Sequence, residues 1–296
     1  MWFTGYIYCE TLQKIKQTRG ENMKADELKL KIDALAVGER LILSGVDENI
    51  YHASEGIGST LLKAADRSMA HFKFRRDNAR TFSAAQLKTF AIGSATHCLV
   101  LEPELYQDKF IAQPDTVKTR SGAKWLQFAS ENKDKTILTV GDELLASSMA
   151  ESLFDEAGDF FIGGDSEKSY WYRHKSGLVL KARVDYQKDD AIIDIKTSIA
   201  DGADKFSNRV KYDYDLQDSL YLLVTGLKDM LYIGVHKEAP HPVYLCKQGA
   251  DVRERATARM NELFDDLNMA RATNTYPNIA PKLVETSLSS WELNNL

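Results

Sequence analysis

The chain has 296 residues, 44% of them hydrophobic and 10% aromatic, with a formal net charge of −5 at pH 7. That is enough apolar side chain to bury a core, so the chain is globular, and no apolar run approaches the roughly 18 residues that a membrane span needs. Cys9, Cys98 and Cys246 are scattered and form no CxxC pattern, which disfavours a disulfide framework, structural zinc and iron–sulfur clusters.

The first residues, "MWFTGYIYCETLQKIK", lack the ordered regions of a signal peptide, so a cytoplasmic location is expected, with no membrane partner. Residues 1–22 read as an upstream extension, because Met23 naturally precedes the helical stretch "MKADELKLKIDALAVGERLIL". Residues 1–45 are thus an N-terminal extension and helix. Residues 46–296 form one domain, since no repeat or Pro/Gly-rich linker divides them.

Ser59 is expected to cap a helix running through "TLLKAADRSMAHFKFRR". A second helix, "SAAQLKTFAIGSATHCLVLEPELY", should end near Pro103, and a third, "VGDELLASSMAESLFDEAG", at Gly158. From Tyr170 the pattern turns to strands: "YWYRH", "LVLKARVDY" and "AIIDIKTS". "YDLQDSLYLLVTG" returns to helix, "MLYIGVH" and "PVYLC" are strands, and "DVRERATARMNELFDDLNMAR" is a closing helix. The predicted class is α/β, a central mixed β-sheet flanked by helices.

Charge is unevenly spread. Between positions 63 and 80 stand Lys63, Arg67, Lys73, Arg75, Arg76 and Arg80 against only Asp66 and Asp77. Such a patch is what a polyanion would meet, whatever the net charge; a solvated helix face is the alternative.

The hairpin "KARVDYQKDDAIIDIKTS" carries the strongest chemical signal. Side chains alternate along a strand, so Asp194 and Lys196 share one face and Ile193 and Ile195 the other. A turn centred on Lys188 and Asp189 would set Asp185 opposite Ile192 and diagonal to Asp194, close enough for both carboxylates to reach one ion. Two such carboxylates raise each other's pKa unless a cation lies between them, and Mg²⁺ suits one or two carboxylates with waters. A plain ion pair of Lys196 with one aspartate is the structural alternative.

The spacing D-x(8)-D-I-K resembles the PD-(D/E)xK nuclease signature, with Asp185, Asp194 and Lys196 in its three places and Val184 where the signature has proline. Gln217 and Tyr221 in "YDLQDSLY" are similar to the QxxxY motif of RecB-type nucleases. His97 in "IGSATHCLVLEPELY" resembles the G-x-A-x-H helix of the RecE (exonuclease VIII) and lambda-exonuclease-like group, and "IYHASEGIGSTLLKAADRSMAHF" resembles that group's N-terminal segment. The likeness runs from Ile50 to the final helix.

This resemblance implies a restriction-endonuclease-like fold and a Mg²⁺-dependent 5′→3′ exodeoxyribonuclease, with Mn²⁺ as a substitute. Asp185, Asp194 and the Ile195 carbonyl would hold the metal, with His97 and Glu167 as further ligands; Asp165 competes with Glu167 for that place. Lys196 would orient the attacking water. Gln217 and Tyr221, one turn apart on a helix, would hold a phosphate or Lys196. Lys73, Arg75, Arg76 and Arg80 would bind DNA. Ends of double-stranded DNA, a ring-shaped homo-oligomer and a single-strand annealing protein are the implied partners, in phage-type recombination. A PD-(D/E)xK endonuclease and a catalytically silent DNA-binding or scaffold module are the alternatives. Cys98 beside His97 invites a thiol protease, but adjacent helical residues diverge by about 100° and cannot pair.

Overall fold

A computed structural model describes residues 23–280; the extension read over 1–22 and Cys9 lie outside the described residues. Six strands make the central sheet: β1 (Arg40–Leu43), β4 (Asp165–Arg173), β5 (Val179–Lys188), β6 (Ala191–Ser198), β7 (Asp229–His236) and β8 (Val243–Cys246), side by side in that order. All neighbours are antiparallel except β6 and β7. A parallel pair requires a crossover, and here it holds two helices, α9 (Ala203–Asp213) and α10 (Asp215–Thr225). Gly226, at φ 76, ends α10 in the left-handed conformation that favours glycine. The short strands β2 (Phe110–Ala112) and β3 (Thr136–Leu138) form a separate parallel pair.

Alternation along the strands supplies both faces of the sheet with apolar side chains. Leu180, Ala182, Val184, Ile192, Met230 and Tyr232 pack against α3 (Ser59–Arg67), α4 (Met69–Asp77), α10 and α11 (Ala250–Thr273). Ile193, Ile195, Leu231 and Ile233 pack against α5 (Ala84–Leu101) and α8 (Val140–Ala157) on the other face. A smaller cluster joins α1 (Ala25–Asp33) and α2 (Glu48–Ala53) to Trp171 and Val179. The remaining helices are α6 (Tyr106–Lys109) and α7 (Gly122–Glu131). Among the described residues no helix is long and apolar enough to cross a membrane.

Two local expectations are corrected and a third is met. "RLIL" is not helical: Gly38, at φ 89, turns the chain and donates its N–H to the Arg173 carbonyl, and the segment pairs with β4 as β1. Gly58, not Ser59, is the N-cap of α3, and the helix expected to continue to Arg76 breaks at Ser68, whose extended backbone and side-chain oxygen cap α4. The third helix does end where expected: α8 closes at Ala157 with Gly158 as its C-cap, and the chain runs on as a 3₁₀ turn to Phe161.

Candidate active site

The β5–β6 hairpin turns one residue later than its sequence suggested. Asp189 takes the left-handed conformation (φ 50), which aspartate tolerates better than most side chains. Lys188, Gln187 and Tyr186 then pair with Ala191, Ile192 and Ile193. Ile192 therefore faces Gln187 instead of Asp185, and the ladder stops at the next position, where Asp185 and Asp194 lie level. There Asp185 Oδ2 accepts the N–H of Ile195 at 2.9 Å, so a carboxylate replaces the backbone partner. The other side of β5 opens at the same level: Ser166 pairs with Tyr186 and Lys168 with Val184, but Glu167 and Asp185 between them do not pair, and Glu167 has φ 52. Interruptions of this kind re-aim side chains. They bring Glu167, Asp185 and Asp194 to one level of three adjacent strands.

Asp194 is 2% exposed. The Gln217 amide donates to its Oδ1 at 2.7 Å, and the Lys196 ammonium closes on its Oδ2. Ile193 and Ile195 lie in the core of the opposite face, the alternation expected of the strand. Gln217 reaches Asp194 because α10 lies across this face of the sheet, and Tyr221, one turn on, is hydrogen-bonded to Ser59 at the start of α3. Burial pulls the Lys196 pKa down, but Asp194 and Asp185 outweigh it and hold it above the usual lysine value.

His97 projects from α5 on the other face. Its Nδ1 is 3.4 Å from Asp185 Oδ2 and its ring also bonds the Ile195 backbone, so it touches two of the expected metal ligands. Burial, and next the Lys196 charge, lower its pKa, which favours the neutral ring. Glu167 is the acid that enters the site: burial and the neighbouring Asp185 raise its pKa, while Arg183 Nε holds its Oε2 at 2.6 Å. Asp165 is engaged with Lys168 at 2.7 Å, 47% exposed, and takes no part. Cys98 Sγ points to the Glu102 carbonyl, and burial pushes the thiol up to about 11, so no Cys/His dyad exists.

Three contributors were not picked out as site residues from sequence. Tyr214, between α9 and α10, lies under two ammonium groups, Lys196 Nζ at 5.1 Å and Lys63 Nζ at 5.2 Å from its ring centroid. Burial and then Lys196 lower the Lys63 pKa to about 8. Arg183 was hidden as an ordinary strand cation; its position two residues before Asp185 was the available signal. Of the predicted DNA-binding residues, Lys73, Arg75 and Arg80 are exposed on or just after α4, whereas Arg76 is engaged by Asp77 at 2.6 Å and by Tyr276.

Burial and then the charge of Asp194 push the Asp185 carboxyl up to about 7, and a cation between the two carboxylates would offset that repulsion. Among the described residues no three His, Cys, Asp or Glu side chains close into a coordination cluster. The donors on offer are two carboxylates and a main-chain carbonyl, those of Asp185, Asp194 and Ile195. Hard oxygens of that number fit a small divalent ion that retains water.

A mixed sheet with three acids level across its opened strands, a lysine two residues beyond the last acid, and a Gln/Tyr helix behind it reproduce in space the order of the PD-(D/E)xK signature. The chain belongs to a family of PDDEXK-like domains of unknown function, DUF3799, whose model matches residues 58–283. The fold is shared with a crystal structure of a "Putative exonuclease" from Eubacterium rectale, with a TM-score of 0.54 at 14% identity over 84% of this chain and 97% of that one. A crystal structure of SSO0001 aligns over 62% of this chain and 86% of that one at 17% identity, with a TM-score of 0.27 that bears no argument. No curated protein matches the chain. Nucleases of this class typically use divalent metals.

Proposed function

We propose that the protein is a Mg²⁺-dependent exodeoxyribonuclease that degrades linear duplex DNA 5′→3′ and leaves 3′ single-stranded tails for phage-type recombination. The observation that carries the reading is the convergence of Asp185, Asp194, Lys196 and Gln217 where the β5–β6 ladder opens. The resemblance of the His97 helix and the 50–72 segment to the RecE and lambda-exonuclease-like group, and the fold shared with the exonuclease-like structure, support the finer assignment. A cytoplasmic location, a ring-shaped homo-oligomer and a single-strand annealing partner belong to the same proposal.

Asp185, Asp194 and the Ile195 carbonyl would hold the metal, which when bound supplies Lewis acidity toward the scissile phosphate and its attacking water. Gln217 fixes the Asp194 carboxylate through its 2.7 Å hydrogen bond, and the Ile195 N–H fixes that of Asp185. His97 orients Asp185 from the opposite face of the sheet. Lys196, held in its charged form by the two aspartates, orients the water and stabilises the negative charge of in-line attack. Lys63, on the same Tyr214 ring, adds a second cation for a substrate phosphate. Glu167 is held by Arg183 beside them.

Digestion of end-labelled linear duplex and of closed circular duplex tests the proposal. Loss of linear DNA from its 5′ ends in Mg²⁺, stopped by excess chelator, is expected. Cutting of circles would make the protein an endonuclease on the same centre, and retardation of DNA without cleavage would make it a binding module.

A further inference from the structure

Helix α5 carries His97 at the catalytic level, and Phe90 stands seven residues earlier. Seven residues are nearly two full turns, so Phe90 lies on the same side of the helix, roughly 10 Å outward from the site. Phe90 is 44% exposed although its ring also meets that of Phe82 edge-on at 5.0 Å. The Arg80 guanidinium covers the Phe82 ring, 4.6 Å from its centroid. Arg75 is close enough to Arg80 that, after burial, its charge is what lowers the Arg80 pKa. Among the described residues neither arginine has a carboxylate within ion-pair distance, unlike Arg76 beside them. Phe74, next to Arg75, is 69% exposed.

From these contacts we infer that Phe90, Phe82, Arg80 and Arg75 form a track for single-stranded DNA running outward from the active site past the start of α5 and over the connection to the end of α4. Two guanidiniums without a carboxylate partner among the described residues suit phosphates, and the exposed Phe90 ring suits an unpaired base, which a closed duplex keeps stacked on its neighbours. The ligand is therefore a strand whose bases are free, not duplex DNA read by its backbone alone. The inference rests on the nuclease reading for its direction relative to the site, but the binding it assigns does not require cleavage.

The test is fluorescence anisotropy in excess chelator, with a labelled oligothymidylate and an abasic oligomer of the same length. Phe90→Leu keeps apolar packing against Phe82 and loses the aromatic face; it should weaken oligothymidylate binding by about fivefold or more and leave the abasic oligomer unchanged, as stacking of a base on an aromatic ring would predict. Phe90→Trp should restore the difference. Arg75→Gln with Arg80→Gln should weaken both oligomers and flatten the salt dependence by about two counterions. If Phe90→Leu binds both oligomers like wild type, or if Phe90→Trp fails with it, the track is overturned. Wild-type cleavage in Mg²⁺, run alongside, separates failure of the track from failure of the nuclease reading.

Discussion

Gln217 and Asp194 are 23 residues apart in the chain and are joined by a 2.7 Å hydrogen bond from the amide of one to the carboxylate of the other. One lies on a strand and the other on the helix of the β6–β7 crossover, so the bond ties the candidate metal ligand to the element packed over it. With Lys196 on its second oxygen, the buried Asp194 is held in a single orientation.

Asp194→Asn keeps the shape of the side chain and removes its charge. Single-turnover digestion of a 5′-phosphorylated duplex should fall by about 10² or more while DNA binding is nearly kept, because the basic surface is untouched. Retention of more than about a tenth of the wild-type rate, about 1.4 kcal/mol of barrier, would show that Asp194 is not in the reaction centre.

Lys196→Ala separates a catalytic lysine from one that only pairs with Asp194. A lysine that only pairs with the buried Asp194 would, on removal, lower stability by leaving that carboxylate without its counter-charge, while the rate per folded molecule stayed largely intact. Loss of a group that stabilises the transition state should lower turnover by about 10² or more, with Mn²⁺ affinity level or higher because a neighbouring positive charge has gone. Calorimetric Mn²⁺ titration beside the digestion assay reads both.

Gln217→Ala leaves a buried Asp194 oxygen without its donor. It should cost on the order of 1–3 kcal/mol of stability in urea unfolding and lower turnover, and Gln217→Glu should be worse, since it sets a second carboxylate against the first. A variant with wild-type stability and rate would leave the bond without consequence.

The Asp185 carboxyl titrates at about 7 in the folded, metal-free protein, raised by burial and by Asp194, and near 4 when unfolded. Between those values the native state keeps a proton that the unfolded chain has lost, so stability falls as pH rises through the window. In excess chelator Asp185→Asn should therefore be more stable than wild type at about pH 8, by about 1 kcal/mol or more, with the gap narrowing toward about pH 5. Equal pH slopes for the two proteins would rule out this origin of the strain.

Reversing Arg75 and Arg80 together should flatten the salt dependence of DNA binding by about two counterions or more, whereas reversing Arg76 alone should do less, because Asp77 already pairs with it. Equal effects at both places would mean that the internal pair opens on binding.

The order of strands after residue 170, the helix of Gln217 and Tyr221, and the acids of the hairpin were all legible in the sequence, because each rests on local periodicity or on spacing within one element. Alternation alone put Asp194 and Lys196 on one face of β6. The register of the hairpin was not legible. It depended on Asp189 accepting a left-handed turn and on the Asp185 carboxylate replacing a backbone partner, and both are settled by what the neighbouring strands and helices can pack.

The same division holds for the rest of the site. Residue types, spacing and the excess of cations between positions 63 and 80 follow from the chain itself, and they point to the PDDEXK-like class. Tertiary structure decided that Glu167 and not Asp165 stands beside Asp185, that Arg76 is spent on Asp77, and that Lys63 and Lys196 share the ring of Tyr214. Those choices turn on which groups burial leaves without water and which counter-charge reaches them first, and partners up to 151 positions apart, as Lys63 and Tyr214 are, meet only when the sheet and its helices close.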